Sequence, residues 1–386
     1  MRFSQFDTAG FLRDYWQKQP LLIKNPWAGW RNPLDPDDLA GLACDEDMES
    51  RLIAAGPKGW SVEQGPFDEA RFGAMGKAPW TLLVQAVDHA VPDVAALIEP
   101  FRFVPNWRID DVMVSYAVDG GGVGPHFDQY DVFLIQGVGR RRWQVGPVCG
   151  ADSELLPHED LCQLAQFTAT AEYVLEPGDI LYLPPGVAHD GVALGDDCMT
   201  YSIGFRAPAR AELIAHWCDE VLASLQDDDR YADPELIAQE NPGEITAAAL
   251  GGLQEMILSK LGDSTAFARW FGGYTSAPKY PDMDWQPEAP IDAEELRGYL
   301  AEDMAVQRNP AARFAFIRQG EGVVLFVNGQ AHACAGEAAA LAERLCAQPR
   351  LTVNSVWAAS DAAIGLLVTL FNQGSVGFDD EEEGVV

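Results

Sequence analysis

The stretch Gly120-Gly121-Gly122-Val123-Gly124-Pro125-His126-Phe127-Asp128-Gln129-Tyr130-Asp131-Val132-Phe133-Leu134-Ile135 decides how the chain is read. It sets a histidine and a carboxylate two residues apart at the head of a β-rich run. Successive side chains of a strand point to opposite faces, so His126 and Asp128 share one face and Tyr130 follows them on it. A metal site of nitrogen and oxygen donors on that face needs one further histidine. Pro184-Pro185-Gly186-Val187-Ala188-His189, at the end of another apolar strand, supplies it 61 residues after Asp128. Two histidines and one carboxylate on one side of a metal leave the opposite positions open, as in non-haem Fe(II) sites.

His-x-Asp alone carries little weight, and surface histidines beside turns are the bland alternative. Context favours the site. The pair follows a glycine-rich turn, and a double-stranded β-helix folds a later strand back beside the first. The glycine run itself is a turn that delivers His126, because no Gly-Lys-Ser/Thr follows it to make a phosphate loop. His89, His158, His216 and His332 stand alone and are read as structural or exposed; His332-Ala333-Cys334 lacks a partner pair for a metal.

Working outward, Val112, Val114 and Tyr116 alternate with Met113, Ser115 and Ala117. Further strands are expected at Arg140 to Val145, Ala171 to Leu175, Asp179 to Leu183 and Cys198 to Phe205, with one helical interruption from Glu154 to Phe167. Short strands broken by Gly and Pro indicate a β-barrel or sandwich. Ahead of it, Asp7-Thr8 caps a helix, Pro20 to Ile23 reads as a strand, residues 36 to 55 as short helices, and Trp80 to Val87 as a buried strand. Pro92 then opens a short helix through Ile98.

After Arg206-Ala207-Pro208 the pattern becomes helical. Ile214, Trp217, Val221 and Leu225 form a stripe, and a second helix spans Thr246 to Leu261. Pro278, Pro281, Pro287 and Pro290 mark a linker. A small α/β unit follows, with a helix over Ile291 to Ala301, a hairpin of Phe314–Arg318 and Val323–Val327, and two more helices; its order suits a winged-helix-like module. The expected division is 1–207, 208–277, 278–290, 291–378 and an acidic, solvated tail at 379–386.

The chain has 386 residues, enough for two or three cores. Its longest apolar run, Ala362 to Phe371, is too short to span a membrane, and the amino terminus lacks a signal-peptide pattern. Seven cysteines without a CxxC pair indicate reduced thiols in a cytoplasm. With 26 basic and 59 acidic residues the net charge is −33, which opposes direct nucleic-acid binding and favours basic partners.

Arg140 to Val145 alternates so that Arg141 shares the apolar face of Trp143 and Val145, which puts Arg141 inside. A buried arginine needs an anion. A bound dicarboxylate supplies it, or else a core acid does.

With these motifs the chain resembles the JmjC-type 2-oxoglutarate oxygenases, and more closely the bacterial ribosomal oxygenases that hydroxylate an arginine of a large-subunit ribosomal protein, L sixteen. The matching stretches are residues 14–21, 82–88, 107–111, 120–133, 140–143, 176–186 and 201–208. The resemblance implies a double-stranded β-helix of the cupin/JmjC type, a helical dimerisation region making a homodimer, and a winged-helix-like end. It implies Fe(II) on His126, Asp128 and His189, with 2-oxoglutarate and O2 as cosubstrates. Arg141 would take the distal carboxylate, and Ser115 and Thr200 would line the cosubstrate. Asp111, Tyr130 and Ser202 would hold the substrate arginine. Thr200 departs from the pattern, standing where close relatives carry asparagine, so cosubstrate contacts there should differ.

Three rivals stand beside this reading: a related oxygenase acting on histidine or another residue, a cupin-type metal-binding scaffold without oxygen chemistry, and transcriptional control through the winged-helix-like end. Fe(II)-dependent turnover of 2-oxoglutarate separates the first two. The third requires a basic surface that the composition does not provide.

Overall fold

A computed structural model describes residues 1–56, 59–76, 78–302 and 304–379. The chain divides into one unit over Met1–Ala207, with Asp282–Asp284 and Asn309–Ala311, and a second unit over the remainder.

The first unit runs α1 (Thr8–Asp14), β1 (Leu21–Ile23), α2 (Pro36–Leu42), β2 (Ser50–Gly56), β3 (Gly59–Gln64), α3 (Glu69–Gly73), β4 (Trp80–Val84), α4 (Pro92–Ala95), β5 (Ile109–Ala117) and β6 (Asp131–Gln136). It continues with β7 (Arg141–Val148), β8 (Ala171–Leu175), β9 (Ile180–Leu183), β10 (Val187–Ala193) and β11 (Cys198–Phe205). The Asp7 carboxylate caps α1 by accepting from the Gly10 amide at 2.9 Å.

Two antiparallel sheets result, one ordered β1-β9-β6-β11-β5-β4-β2-β3 and one ordered β10-β7-β8. From β6 onward the chain passes between them: β6 in the large sheet, β7 and β8 in the small, then β9 large, β10 small and β11 large. This winding is the expected double-stranded β-helix. Because β6 and β9 carry unbroken apolar runs, both of their faces can be buried. On one face Phe133 and Tyr182 pack with Phe11, Phe101 and Phe205. On the other, Val132, Leu134, Leu181 and Leu183 meet Trp143, Val145, Leu175 and Val187 of the small sheet.

A polar knot fixes the start of β6. Asp131 is fully buried and accepts from Tyr182 Oη at 2.6 Å, Gln17 Nε2 at 2.8 Å and Arg108 Nη2 at 3.1 Å. The loop holding His126 and Asp128 is thereby anchored to β5, β9 and the chain after α1.

Several expectations are corrected. Ser50 to Gly56 is a strand rather than a helix, because pairing with β3 and β4 overrides the helical preference of its Leu and Ala residues. Glu154 to Phe167 is irregular: Pro157 lacks a donor, and Leu156, Leu164 and Ala165 amides bond to Gln163, Pro125 and Glu154 carbonyls instead. His189 lies inside its own strand, β10, beyond the Pro184-Pro185-Gly186 turn. His126 occupies an isolated bridge, and β6 proper begins only at Asp131.

The second unit contains α5 (Arg210–Ser224), α6 (Ala247–Leu261), α7 (Ser264–Ser276), α8 (Ala293–Ala301), β12 (Val306–Arg308), β13 (Phe314–Gln319), β14 (Gly322–Val327) and β15 (Gln330–Cys334). After these come α9 (Glu337–Ala347), β16 (Arg350–Leu351), α10 (Ser355–Ala359), α11 (Asp361–Asn372) and β17 (Val376–Phe378). The anticipated hairpin forms and gains a third strand, giving β13-β14-β15, while β12 pairs β16 and β17 in a second small sheet. Residues 380–386 of the acidic tail lie outside the described residues. Asp379 is not loose: it pairs with Arg350, and its amide donates to the Ala305 carbonyl at 3.0 Å. All seven cysteines are free. Among the described residues no helix is long and apolar enough to cross a membrane.

Candidate active site

His126 and His189 face each other across a short antiparallel bridge, His126 N donating to His189 O at 3.0 Å and His189 N to His126 O at 2.8 Å. Their rings stand 4.3 Å apart. The Gly186 amide donates to the Asp128 carbonyl at 2.7 Å, tying the carboxylate's backbone to the turn before His189. One donor atom from each of His126, Asp128 and His189 lies within 4.8 Å of the others, and His189 Nε2 is 3.7 Å from Asp128 Oδ2.

The second nitrogen of each ring is also accounted for. His126 Nδ1 lies 2.9 Å from the Gly124 carbonyl, and His189 Nδ1 lies 3.0 Å from that of Val187. A carbonyl only accepts, so Nδ1 holds the proton and Nε2 offers a lone pair. This is how metal-ligating histidines are oriented. Burial, followed by the neighbouring His126, pushes His189 down to about 4, which keeps the ring neutral and able to ligate. Two imidazoles and a carboxylate on one side suit a first-row divalent metal with open positions.

Arg141 opens β7 and is 3% exposed. Its Nε and Nη2 have no hydrogen-bond partner, and among the described residues no carboxylate pairs with it. Asp190 lies in the field of Arg141 and Arg142, but it makes no hydrogen bond to either unpartnered Arg141 nitrogen. The guanidinium lies 5.7 Å from the Trp143 ring, and that ring is 5.8 Å from His189. Opposite β7, Arg141, Trp143 and Val145 pair with Ala193, Gly191 and His189. Arg141 thus sits four residues along the strand from the level of His189, about 13 Å at 3.3 Å per residue. An Arg side chain and a small dicarboxylate together fill such a span.

Ser115 and Thr200 are buried partners on β5 and β11, with the Ser115 hydroxyl donating to the Thr200 carbonyl at 3.4 Å. The Thr200 hydroxyl reaches Gln136 Oε1 at 3.5 Å. Ser202 follows two residues later on the same face of β11, opposite Met113 and Leu134. Asp111 is 3% exposed; its Oδ2 accepts from Gln85 Nε2 at 2.6 Å and the Ala86 amide at 3.0 Å. Tyr130, 42% exposed, bonds to Asp128 and lies in the field of Asp111 and Asp110. Burial first, then the Asp128 charge, raises its phenol above the ordinary range.

Some residues of the site were not legible in the sequence. Gln136 joins Thr200 across β6 and β11, Gln163 donates to the Val123 carbonyl at 2.6 Å beneath the glycine turn, and Gln85 with Ala86 fixes Asp111. The one local hint was Gln85-Ala86 itself, where Ala86 takes a left-handed φ of 51° that turns its amide onto the carboxylate.

A family model described as JmjC domain matches residues 96–213, and one described as ROXA-like winged helix matches residues 259–377. The chain is 41% identical over 320 residues to the ribosomal protein uL16 3-hydroxylase of Escherichia coli, covering 83% of this chain and 84% of that protein. An X-ray structure of E. coli ycfD superposes with a TM-score of 0.90 at 36% identity, covering 98% and 100% of the two chains. A structure of YcfD, a ribosomal oxygenase from E. coli, in complex with cobalt and 2-oxoglutarate superposes at 0.85 with 36% identity, covering 98% and 99%.

Proposed function

The chain belongs to the JmjC-domain ribosomal oxygenases, and from that premise we propose that it is an Fe(II)- and 2-oxoglutarate-dependent hydroxylase of ribosomal protein uL16, acting on an arginine. The observation that carries this reading is the combination of the His126, Asp128, His189 donor set with a buried Arg141 whose Nε and Nη2 lack a hydrogen-bond partner.

His126, Asp128 and His189 hold the metal, with the two Nδ1–H bonds keeping each Nε2 aimed at it. When bound, the metal and 2-oxoglutarate turn O2 into one oxygen inserted in a substrate C–H bond and one in succinate, with release of carbon dioxide. Arg141 takes the distal carboxylate as a charge-assisted fork, and Trp143, tilted against His189 and under the Arg141 guanidinium, walls the cosubstrate from water. Ser115 and Thr200 line its flank; the short Thr200 hydroxyl gives one hydrogen bond there where an amide gives more. Asp111 neutralises the substrate guanidinium, the Tyr130 ring packs on its plane, and Ser202 adds a hydrogen bond. A fixed carboxylate beside an aromatic face favours a cationic arginine over a neutral histidine.

The acidic protein meets a basic substrate, and the charge of −33 speeds their encounter. The 208–277 helices pair two copies into a homodimer; Ile214 and Leu222 on α5 and Leu250, Ile257 and Leu258 on α6 are each more than half exposed. The protein works in the cytoplasm, and residues 291–378 act as a winged-helix-like module that does not bind nucleic acid. Incubating purified protein with Fe(II), 2-oxoglutarate and uL16 tests the reaction. It should yield succinate and one added oxygen atom on a single arginine; succinate without any change in uL16 would reject this substrate. Sedimentation at several concentrations tests the dimer, and a monomer throughout would reject it.

A further inference from the structure

We propose that Gly204 is a specificity-determining residue, whose missing side chain keeps open the slot between Asp111 and Tyr130 that admits the flat guanidinium of the substrate. The inference rests on the proposed arginine hydroxylation and extends it to a residue that touches neither metal nor cosubstrate.

The register of β5 against β11 is broken here. Ile203 pairs with Val112 and Phe205 with Ile109, so Asp110 and Asp111 together oppose the single residue Gly204. Such a bulge re-aims side chains, and bulges concentrate beside active sites. A Cβ placed on Gly204 would stand 3.9 Å from Asp110 Cβ, 3.9 Å from Asp111 Oδ1 and 4.0 Å from Tyr130 Cε2. The two aspartates and the tyrosine thus converge on the spot that the glycine leaves empty.

Other glycines inside these strands have packing reasons. A Cβ at Gly146 would lie 2.8 Å from Phe167, and one at Gly191 would lie 2.5 Å from Trp143. Gly204 has no such reason: its φ is outside the left-handed region, and every neighbour of an added methyl sits at ordinary van der Waals distance. Glycine inside a strand weakens it and often marks a bulge, as here, or the close approach of a ligand or another backbone. An added carbon there would lie at van der Waals distance from both a carboxylate oxygen and an aromatic edge, 3.9 and 4.0 Å away, the spacing at which a planar cation lies against both.

Gly204→Ala tests this, assayed with Fe(II), 2-oxoglutarate and intact uL16 and melted in parallel. The variant should melt no lower than the parent and keep its KM for 2-oxoglutarate, while KM for uL16 rises about tenfold or more, the effect of one misplaced methyl in a fitted pocket. Gly204→Ser should raise KM for uL16 at least as much. A folded Gly204→Ala protein with unchanged KM for uL16 would overturn the inference, as would equal rises in both KM values. Absence of uL16 hydroxylation by the unsubstituted protein would overturn the reading beneath it, and the inference with it.

Discussion

His126 and His189 exchange both of their backbone hydrogen bonds, at 3.0 and 2.8 Å, across an isolated bridge that joins His126, outside any strand, to His189 of β10. The pairing holds two imidazoles together before any metal arrives, and the Gly124 and Val187 carbonyls set their tautomers. Replacing His189 or Asp128 by alanine should therefore lower Fe(II)-dependent 2-oxoglutarate turnover by more than about 100-fold, since even partners that only orient a ligand are worth 10–100-fold. Circular dichroism should remain that of the parent. Turnover surviving either change would remove that residue from the metal site.

Arg141 is a buried cation whose Nε and Nη2 lack a hydrogen-bond partner in the protein. Arg141→Met should stabilise the protein free of cosubstrate by about 1–4 kcal/mol, because it replaces a buried charge that has two unpartnered nitrogens with an apolar side chain. The same change should raise KM for 2-oxoglutarate by more than roughly 30-fold, from the 2 kcal/mol or more that a lost buried partner costs. Denaturant titration and steady-state kinetics read the two effects. A less stable Arg141→Met protein with unaltered KM would mean that Arg141 is structural.

His189 gives the metal-free protein a pH signature. Its folded value is depressed to about 4 by burial and by His126, whereas the unfolded histidine titrates near 6.5. Between those values the unfolded chain binds the proton more tightly, so this group's contribution is present above about pH 6.5 and is lost as pH falls toward 4. In chelator-treated protein, His189→Asn should flatten the pH dependence of the unfolding free energy in that window. Identical slopes for parent and variant would refute the assignment.

The Asp131 knot is expected to dominate local stability. Asp131→Ala takes the carboxylate from the part-buried Arg108 and leaves the Tyr182 hydroxyl only the Gln17 amide, and should cost about 3–5 kcal/mol. Tyr182→Phe removes the hydrogen bond to the Asp131 carboxylate, worth about 1.5–3 kcal/mol, together with the one the hydroxyl accepts from the Gln17 amide at 2.7 Å. Urea unfolding measures both; equal, negligible losses would show that the knot is incidental to the loop it anchors.

Much of the site was legible because its determinants are local. Alternation placed Arg141 inside, and the His126-x-Asp128 spacing survived even though His126 sits in an isolated bridge and Asp128 in irregular chain. What escaped depended on distant pairing. β2 reads as helical until β3 and β4 are set beside it, the Leu155 to Leu164 region is organised by contacts with the glycine turn, and the strands β12, β16 and β17 have only two or three residues each. The bulge at Asp110-Asp111 is likewise invisible in the chain, since it exists only relative to Gly204 of a strand more than ninety positions later.

The most direct test of the central claim is intact-mass spectrometry of ribosomal proteins from cells with and without this gene, grown in air. The account predicts that uL16 alone is lighter by one oxygen atom when the gene is absent, with fragmentation locating the difference on an arginine. Identical masses for uL16 in both strains would contradict it.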